Sequence, residues 1–226
     1  MCCADRLGGV TPFSSVDWPG QLSAVVFVQG CPWRCAYCHN PHLQPTAGRL
    51  SWPGVAGWLA QRRGLLDAVV FSGGEPLLAG ALPQWLTQVR AMGFQAGLHT
   101  AGIYPERLRG ALSQLDWVGL DIKTLPDRYE RLTGVAGSAS QAWASLDILL
   151  ASQVAMECRT TWHPGWLAPE ALLELAQALA GRGVRRYAVQ QARDPQTRAP
   201  GPALPSGIRQ ALGRLFEHFE DRSFAH

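Results

Sequence analysis

No stretch of the 226 residues approaches the run of about 18 apolar residues that a membrane-spanning helix needs. The opening MCCADRLGGV also lacks the basic segment and apolar run of a secretory signal. A cytoplasmic protein with no membrane partner is the expectation. Charge is scarce too: 16% of residues are charged, the formal net charge is +3, and no basic run exceeds the pairs Arg62-Arg63 and Arg185-Arg186. That speaks against a dedicated nucleic-acid surface. No Gly-x-Gly-x-x-Gly follows the first apolar strand, so a dinucleotide-binding sheet loses weight. Neither a sequence repeat nor a second domain is visible.

What is there is a folded composition, 47% hydrophobic, in a chain long enough for one domain with a substantial core. Six short apolar runs read as strands: Ser23 to Gly30, Asp67 to Gly74, Phe94 to Thr100, Trp117 to Lys123, Ala155 to Thr161 and Arg186 to Gln191. Most are continuously hydrophobic, the pattern of strands covered on both faces. Helical patterns start at Trp52, Leu78, Tyr104, Gln141 and Ala168, the last with an apolar face of leucines 172, 173, 175 and 179. Strand and helix in alternation imply a parallel α/β sheet with right-handed crossovers, here a partial (β/α)6 barrel resembling a TIM barrel. Residues 1–22 read as a lead-in. Residues 194–226 read as a proline-rich connection followed by a last helix, IRQALGRLFEHFEDR.

Ligands of such sheets lie beyond the carboxyl ends of the strands, and polar residues end every one of these strands. In order they are the loop GCPWRCAYCHNPH, then SGGEP (Ser72 to Pro76), His99-Thr100, Asp121-Ile122-Lys123, Arg159 with His163, and Gln190-Gln191. The loop packs Cys31, Cys35 and Cys38 into eight residues. A reducing cytosol and the tight spacing disfavour disulfides. Zinc would want a fourth ligand, which His39 or His42 could supply, but no second Cys or His pair follows downstream. An iron–sulfur cubane normally takes four cysteines. Three would leave one iron open to an outside ligand, as catalytic metal sites do, and the spacing favours that reading.

Cys-x3-Cys-x2-Cys with Tyr37 before the last cysteine resembles the signature of radical S-adenosylmethionine enzymes, and SGGEP is similar to their Gly-Gly-Glu motif. PFSSVDWPG (Pro12 to Gly20), YCHNP and DIK narrow the likeness to the glycyl-radical-enzyme activating enzymes, most of all those that act on anaerobic ribonucleoside-triphosphate reductase. The resemblance covers roughly Val10 to Gln191. It implies a [4Fe-4S] cluster on Cys31, Cys35 and Cys38, with S-adenosyl-L-methionine chelating the open iron. One electron, from a flavodoxin or ferredoxin-type donor, would cleave the sulfonium to methionine and a 5′-deoxyadenosyl radical, which would take a hydrogen from a glycine of the partner. The residues implied to meet the cofactor are Tyr37, His39, Gly73, Gly74, Glu75, Thr100, Asp121, Lys123, Arg159, His163 and Gln191, with Lys123 also catalytic. Where related activases carry an acid before the threonine of the third strand, this chain has His99, which puts a monovalent-cation site in doubt.

Plainer readings stand beside these. Arg34 reads as a backbone brace, and His39 as a support behind the cluster. Asp121 with Lys123 could be a structural ion pair, and Arg159 and His163 satisfied rim residues. Cys158 reads as a small buried hydrophobe, Cys2 and Cys3 as terminal and unrelated to the cluster, and the nine tryptophans as core and helix–sheet packing. Two other functions remain open at this point: a radical enzyme acting on a free small molecule, and a binding module with a structural metal.

Overall fold

A computed structural model describes residues 7–194, 197 and 199–223; Cys2 and Cys3 lie outside that set. The strands are β1 (Leu7–Ser14), β2 (Ser23–Val28), β3 (Ala68–Gly73), β4 (Gln95–Thr100), β5 (Trp117–Asp121), β6 (Ala155–Trp162), β7 (Arg186–Gln191) and β8 (His218–Arg222). The helices are α1 (Trp52–Ala60), α2 (Leu82–Ala91), α3 (Pro105–Ala111), α4 (Pro126–Thr133), α5 (Ser138–Leu150), α6 (Pro169–Gly181) and α7 (Ser206–Leu215). The strands form one sheet in sequence order, with β1 antiparallel to β2 and every later neighbour parallel. β1 and β8 are its two free edges, so the α/β barrel is open on one side.

Local chemistry accounts for most of this. β2 (SAVVFV) and the first four residues of β3 (AVVF) are apolar and buried, as a parallel strand between two covered faces must be. Prolines sit in the first turn of α1, α2, α3, α4 and α6, where a missing N–H costs nothing and a fixed φ helps. α6 buries Leu172, Leu175 and Leu179 on one stripe, while Glu174 faces water. The main core lies between sheet and helices and includes Cys158, as the plain reading of that residue expects. Among the described residues no helix is long and apolar enough to cross a membrane.

The structure adds two strands to the six expected. β1 (LGGVTPFS) carries two glycines and a proline and is half-exposed, so it lacks a strand's apolar signature and is held by pairing with β2. β8 lies where the last helix was expected to continue to Arg222. The helix stops at Leu215 because Phe216 turns extended (φ −121°, ψ 148°) and packs its ring 4.7 Å from Tyr187. His218–Arg222 then pairs with Arg186–Gln190, so pairing with the vacant edge of β7 outweighs the helical pattern. α4, too polar to stand out in sequence, is fixed by the fully buried Tyr129.

Leu172→Ala is expected to destabilise the fold by about 2–5 kcal/mol, because a fully buried leucine leaves a cavity. Glu174→Ala is expected to stay within about 0.5 kcal/mol of the parent. Urea unfolding followed by circular dichroism measures both; equal effects would contradict the packing of α6.

Candidate active site

The cysteine loop leaves β2 at Gly30, whose φ of +102° suits glycine. Its backbone is tied at both ends: Gly30 N–H donates to the Leu43 carbonyl (2.8 Å) and Cys31 N–H to the Gln44 carbonyl (3.1 Å). Its middle rests on the end of α4, where Arg34 N–H donates to Thr133 O (2.8 Å) and Ala36 N–H to Leu132 O (3.3 Å). The Arg34 guanidinium donates to the carbonyls of Cys31 (2.6 Å) and Trp33 (3.0 Å), which makes it the backbone brace expected of it. Cys31, Cys35 and Cys38 are half-buried and line one cavity of about 240 Å³. Burial pushes the Cys31 thiol up to about 11, with Glu75 and Cys35 adding to the effect. The backbone hydrogen bond at Trp33 and the charge of Lys123 work the other way and favour the thiolate.

β3 ends directly beneath this loop. A methyl group on Gly73 would lie 2.3 Å from the Val28 oxygen, and one on Gly74 2.4 Å from the Gly30 oxygen. The two glycines are thus required by the chain's own crowding. The next residue, Glu75, is fully buried. Its Oε1 accepts from Leu77 N–H (3.0 Å) and the Thr100 hydroxyl (2.8 Å), and its Oε2 from Ala101 N–H (3.0 Å). Burial nonetheless raises its carboxyl to about 7, against the three hydrogen bonds that favour the anion.

The ends of β4, β5 and β6 supply the opposite wall. Lys123, the chain's only lysine, is buried, with Nζ 3.8 Å from Asp121 and 5.5 Å from the centre of the Tyr37 ring. Burial pulls its ammonium down, but Tyr37, Cys35 and Asp121 outweigh that and hold it well above the usual value. Arg159 pairs with Asp121 at 2.8 Å. Burial would raise the Asp121 carboxyl, yet Arg159 and Lys123 keep it below the ordinary range. His99 is driven the other way: burial and then Arg159 pull it down to about 3, so the imidazole is neutral.

Tyr37, Gly73, Gly74, Thr100, Asp121, Lys123, Arg159 and His39 line the cavity with the cysteines. Glu75 lies behind it, His39 also accepts from Arg193 N–H (3.1 Å), and two expected residues stand away. His163 accepts from Gly165 N–H and stacks 4.8 Å from Trp166, and Gln191 donates its side-chain amide to the Gly201 carbonyl. Gln190 lines the cavity in place of Gln191. Gln190 pairs with Thr161, two residues beyond Arg159, so strand alternation already puts these three on one face. Asp17, Trp33 and Ser72 also line the cavity; each falls inside a motif quoted above, PFSSVDWPG, GCPWRCAYCHNPH and SGGEP, without having been named as a site residue.

An iron–sulfur cluster fits these residues. Cys31, Cys35 and Cys38 line one cavity, and the ligands of a cubane bind separate irons. The buried Trp33 indole N–H has no acceptor among the described residues, so a group with acceptor atoms suits this wall.

Folding raises the Glu75 carboxyl from about 4.3 to about 7, so the folded chain holds this proton more tightly than the unfolded one. That stability is complete below about pH 4.3 and is lost as pH rises through about 7. The ligand-free protein is expected to lose on the order of 3 kcal/mol relative to Glu75→Gln across that window. Urea midpoints of both proteins against pH are the measurement, and parallel profiles would contradict it.

The sequence profile of the Radical SAM superfamily matches residues 25–165. A protein of Methanocaldococcus jannaschii named as a glycyl-radical enzyme activating enzyme is 26% identical over 205 residues, covering 82% of this chain and 79% of that one. The pyruvate formate-lyase-activating enzyme of Clostridium pasteurianum is 35% identical over 144 residues, 57% of either chain. Among solved structures, a radical SAM methyltransferase from Sphaerobacter thermophilus superposes with a TM-score of 0.69 at 16% identity, over 91% of this chain and 67% of that one, a likeness of fold alone. An open α/β barrel with three cysteines after its second strand, matched by that profile over more than half its length, belongs to the radical SAM superfamily.

Proposed function

We propose that this chain activates a glycyl radical enzyme, and that the partner is an anaerobic ribonucleoside-triphosphate reductase. The observation that carries the reading is the joint between loop and carboxylate: Gly74 N–H donates to Val28 O (2.9 Å) and Glu75 N–H to Gly30 O (2.8 Å), which ties the buried Glu75 to the segment that carries the three thiols. Relatives named as activating enzymes support the first part. PFSSVDWPG and YCHNP support the activating-enzyme reading as well; the choice of reductase rests on overall likeness, and the named targets among the relatives are pyruvate formate-lyases.

In this reading Cys31, Cys35 and Cys38 hold a [4Fe-4S] cluster with one iron left for S-adenosylmethionine. When bound, the pair would supply the chemistry: one-electron reductive cleavage of the sulfonium, with the electron from a flavodoxin or ferredoxin-type donor, and abstraction of a hydrogen from a glycine of the partner. Glu75 accepts from the cofactor's ammonium group, which shifts its own proton equilibrium toward the carboxylate. Thr100 holds Glu75 in orientation. Lys123 and Arg159 bind anionic oxygens of the ligand while Asp121 spaces the two cations. Tyr37 offers its ring to the adenine. His39 holds the Arg193 N–H, Gln191 the Gly201 carbonyl, and His163 packs close to Gly201, which together hold the wall of the site in place.

The anaerobically reconstituted, reduced protein, given S-adenosylmethionine and the reductase, is expected to yield 5′-deoxyadenosine and a glycyl doublet in the partner's EPR spectrum. A doublet on pyruvate formate-lyase alone would move the partner, and none on any glycyl radical enzyme would sink the reading. Cys35→Ala is expected to abolish cluster absorbance while circular dichroism stays that of the parent, because the loop is tied by backbone hydrogen bonds. Global unfolding of that variant would point to a structural metal.

A further inference from the structure

Two cavities are lined by neighbouring residues of the turn between β1 and β2, Asp17 in one and Trp18 in the other. The site cavity is lined by Asp17 and Arg159, among others. A larger one, about 810 Å³, lies at the opposite end of the strands and is lined by the neighbouring Trp18, by Trp117 and by Glu157, two residues before Arg159 on β6. The turn between β1 and β2 folds into the barrel. Trp18 is buried and stacks on Trp117, with centroids 5.4 Å apart and planes 17° off parallel. With Val25, Ala68 and Val70 they form an apolar cluster separate from the main core. β4 makes room through Gly97, where a methyl group would lie 2.8 Å from Trp18 Cε3.

The same turn holds His99. The Nε2 of the ring is 2.7 Å from the Asp17 carbonyl, and a carbonyl only accepts, so the imidazole proton sits on Nε2 and points at the turn. The ring's edge meets Trp117 at 5.5 Å. The turn is self-bracing: the Ser14 hydroxyl bonds the Asp17 carboxylate at 2.5 Å and accepts from the N–H groups of Val16 and Asp17. Arg222 of β8 pairs with Glu157 at 2.9 Å.

We propose that Trp18 is a positioning residue: stacked on Trp117, it forms a septum that closes the radical site from below. The inference rests on the function proposed above. Cofactor and partner loop, once seated, cover the mouth through which they came. The underside has no such cover, and a water-open cavity lies against it, so the protein itself must close it. A closed site suppresses side reactions of a reactive intermediate. Without the septum, a thiol of the reducing buffer reaches the 5′-deoxyadenosyl radical and gives up its hydrogen in place of the glycine. The products are then 5′-deoxyadenosine and a thiyl radical, with no radical on the partner.

The full chain tests this with Trp18→Ala, with Gly97→Ala, which pushes the indole aside, and with Trp18→Phe, which keeps an aromatic face. In the protein without cofactor, the His99 Nε2 proton is followed by NMR; its exchange with solvent is expected to speed up about tenfold or more in the first two variants and to stay slow in the third. In the reconstituted protein with partner and dithiothreitol, 5′-deoxyadenosine formed per glycyl spin is expected to rise several-fold in the first two, at unchanged iron content, and to return to the wild-type ratio in Trp18→Phe. Unchanged exchange and an unchanged ratio in both opened variants would overturn the septum. If Trp18→Ala does not fold, Gly97→Ala against Trp18→Phe decides. A wild type that makes no glycyl radical defeats the proposed function, while the exchange rates still judge the wall.

Discussion

Everything at the mouth of this barrel depends on how closely β3 passes beneath the end of β2. Gly74 and Glu75 donate their N–H groups to Val28 and Gly30, across a gap that leaves no room for a Cβ on Gly73 or Gly74. This contact joins the segment that carries the cysteines to the segment that carries the buried carboxylate. Any side chain there would drive the two apart, and the cysteine loop would lose its register with Glu75, Thr100 and Ala101. Two glycines thus act at a distance on residues they do not touch.

Around that joint the charges are arranged by depth. Nearly all the chain's cations are arginines on its surface or in ion pairs, and the single lysine is buried beside Asp121 and Tyr37. A compact ammonium suits a place where a point charge must serve several acceptors in turn, whereas the planar Arg159 is fixed edge-on against one carboxylate. Opposite lies Glu75, whose burial leaves its charge state open to whatever enters. One wall carries settled charge and the other responds.

Most of the site was visible in the sequence because polar residues at the ends of apolar strands stand out against what precedes them. The cysteine loop, SGGEP, DIK and Arg159 all announce themselves in that way, and with them the open α/β barrel. Gln190 was obscured by its neighbour Gln191; only the register of β6 with β7 shows which of the two turns inward. β1 and β8 were hidden because neither has a strand's apolar pattern, and both exist through pairing with a strand far better suited to the sheet. Tryptophan was read as helix–sheet packing, which holds for Trp52 and Trp85, stacked 5.4 Å apart in the main core. Trp18 sits instead inside the barrel, a position no local pattern encodes.

The cysteine loop owes its course to carbonyl and amide partners on α4, to the turn after Asn40 and to Arg34, none of which is a metal ligand. Its outline is therefore written in the backbone, and the three thiols ride on it as passengers: a change confined to a cysteine side chain leaves the course of the loop where it was.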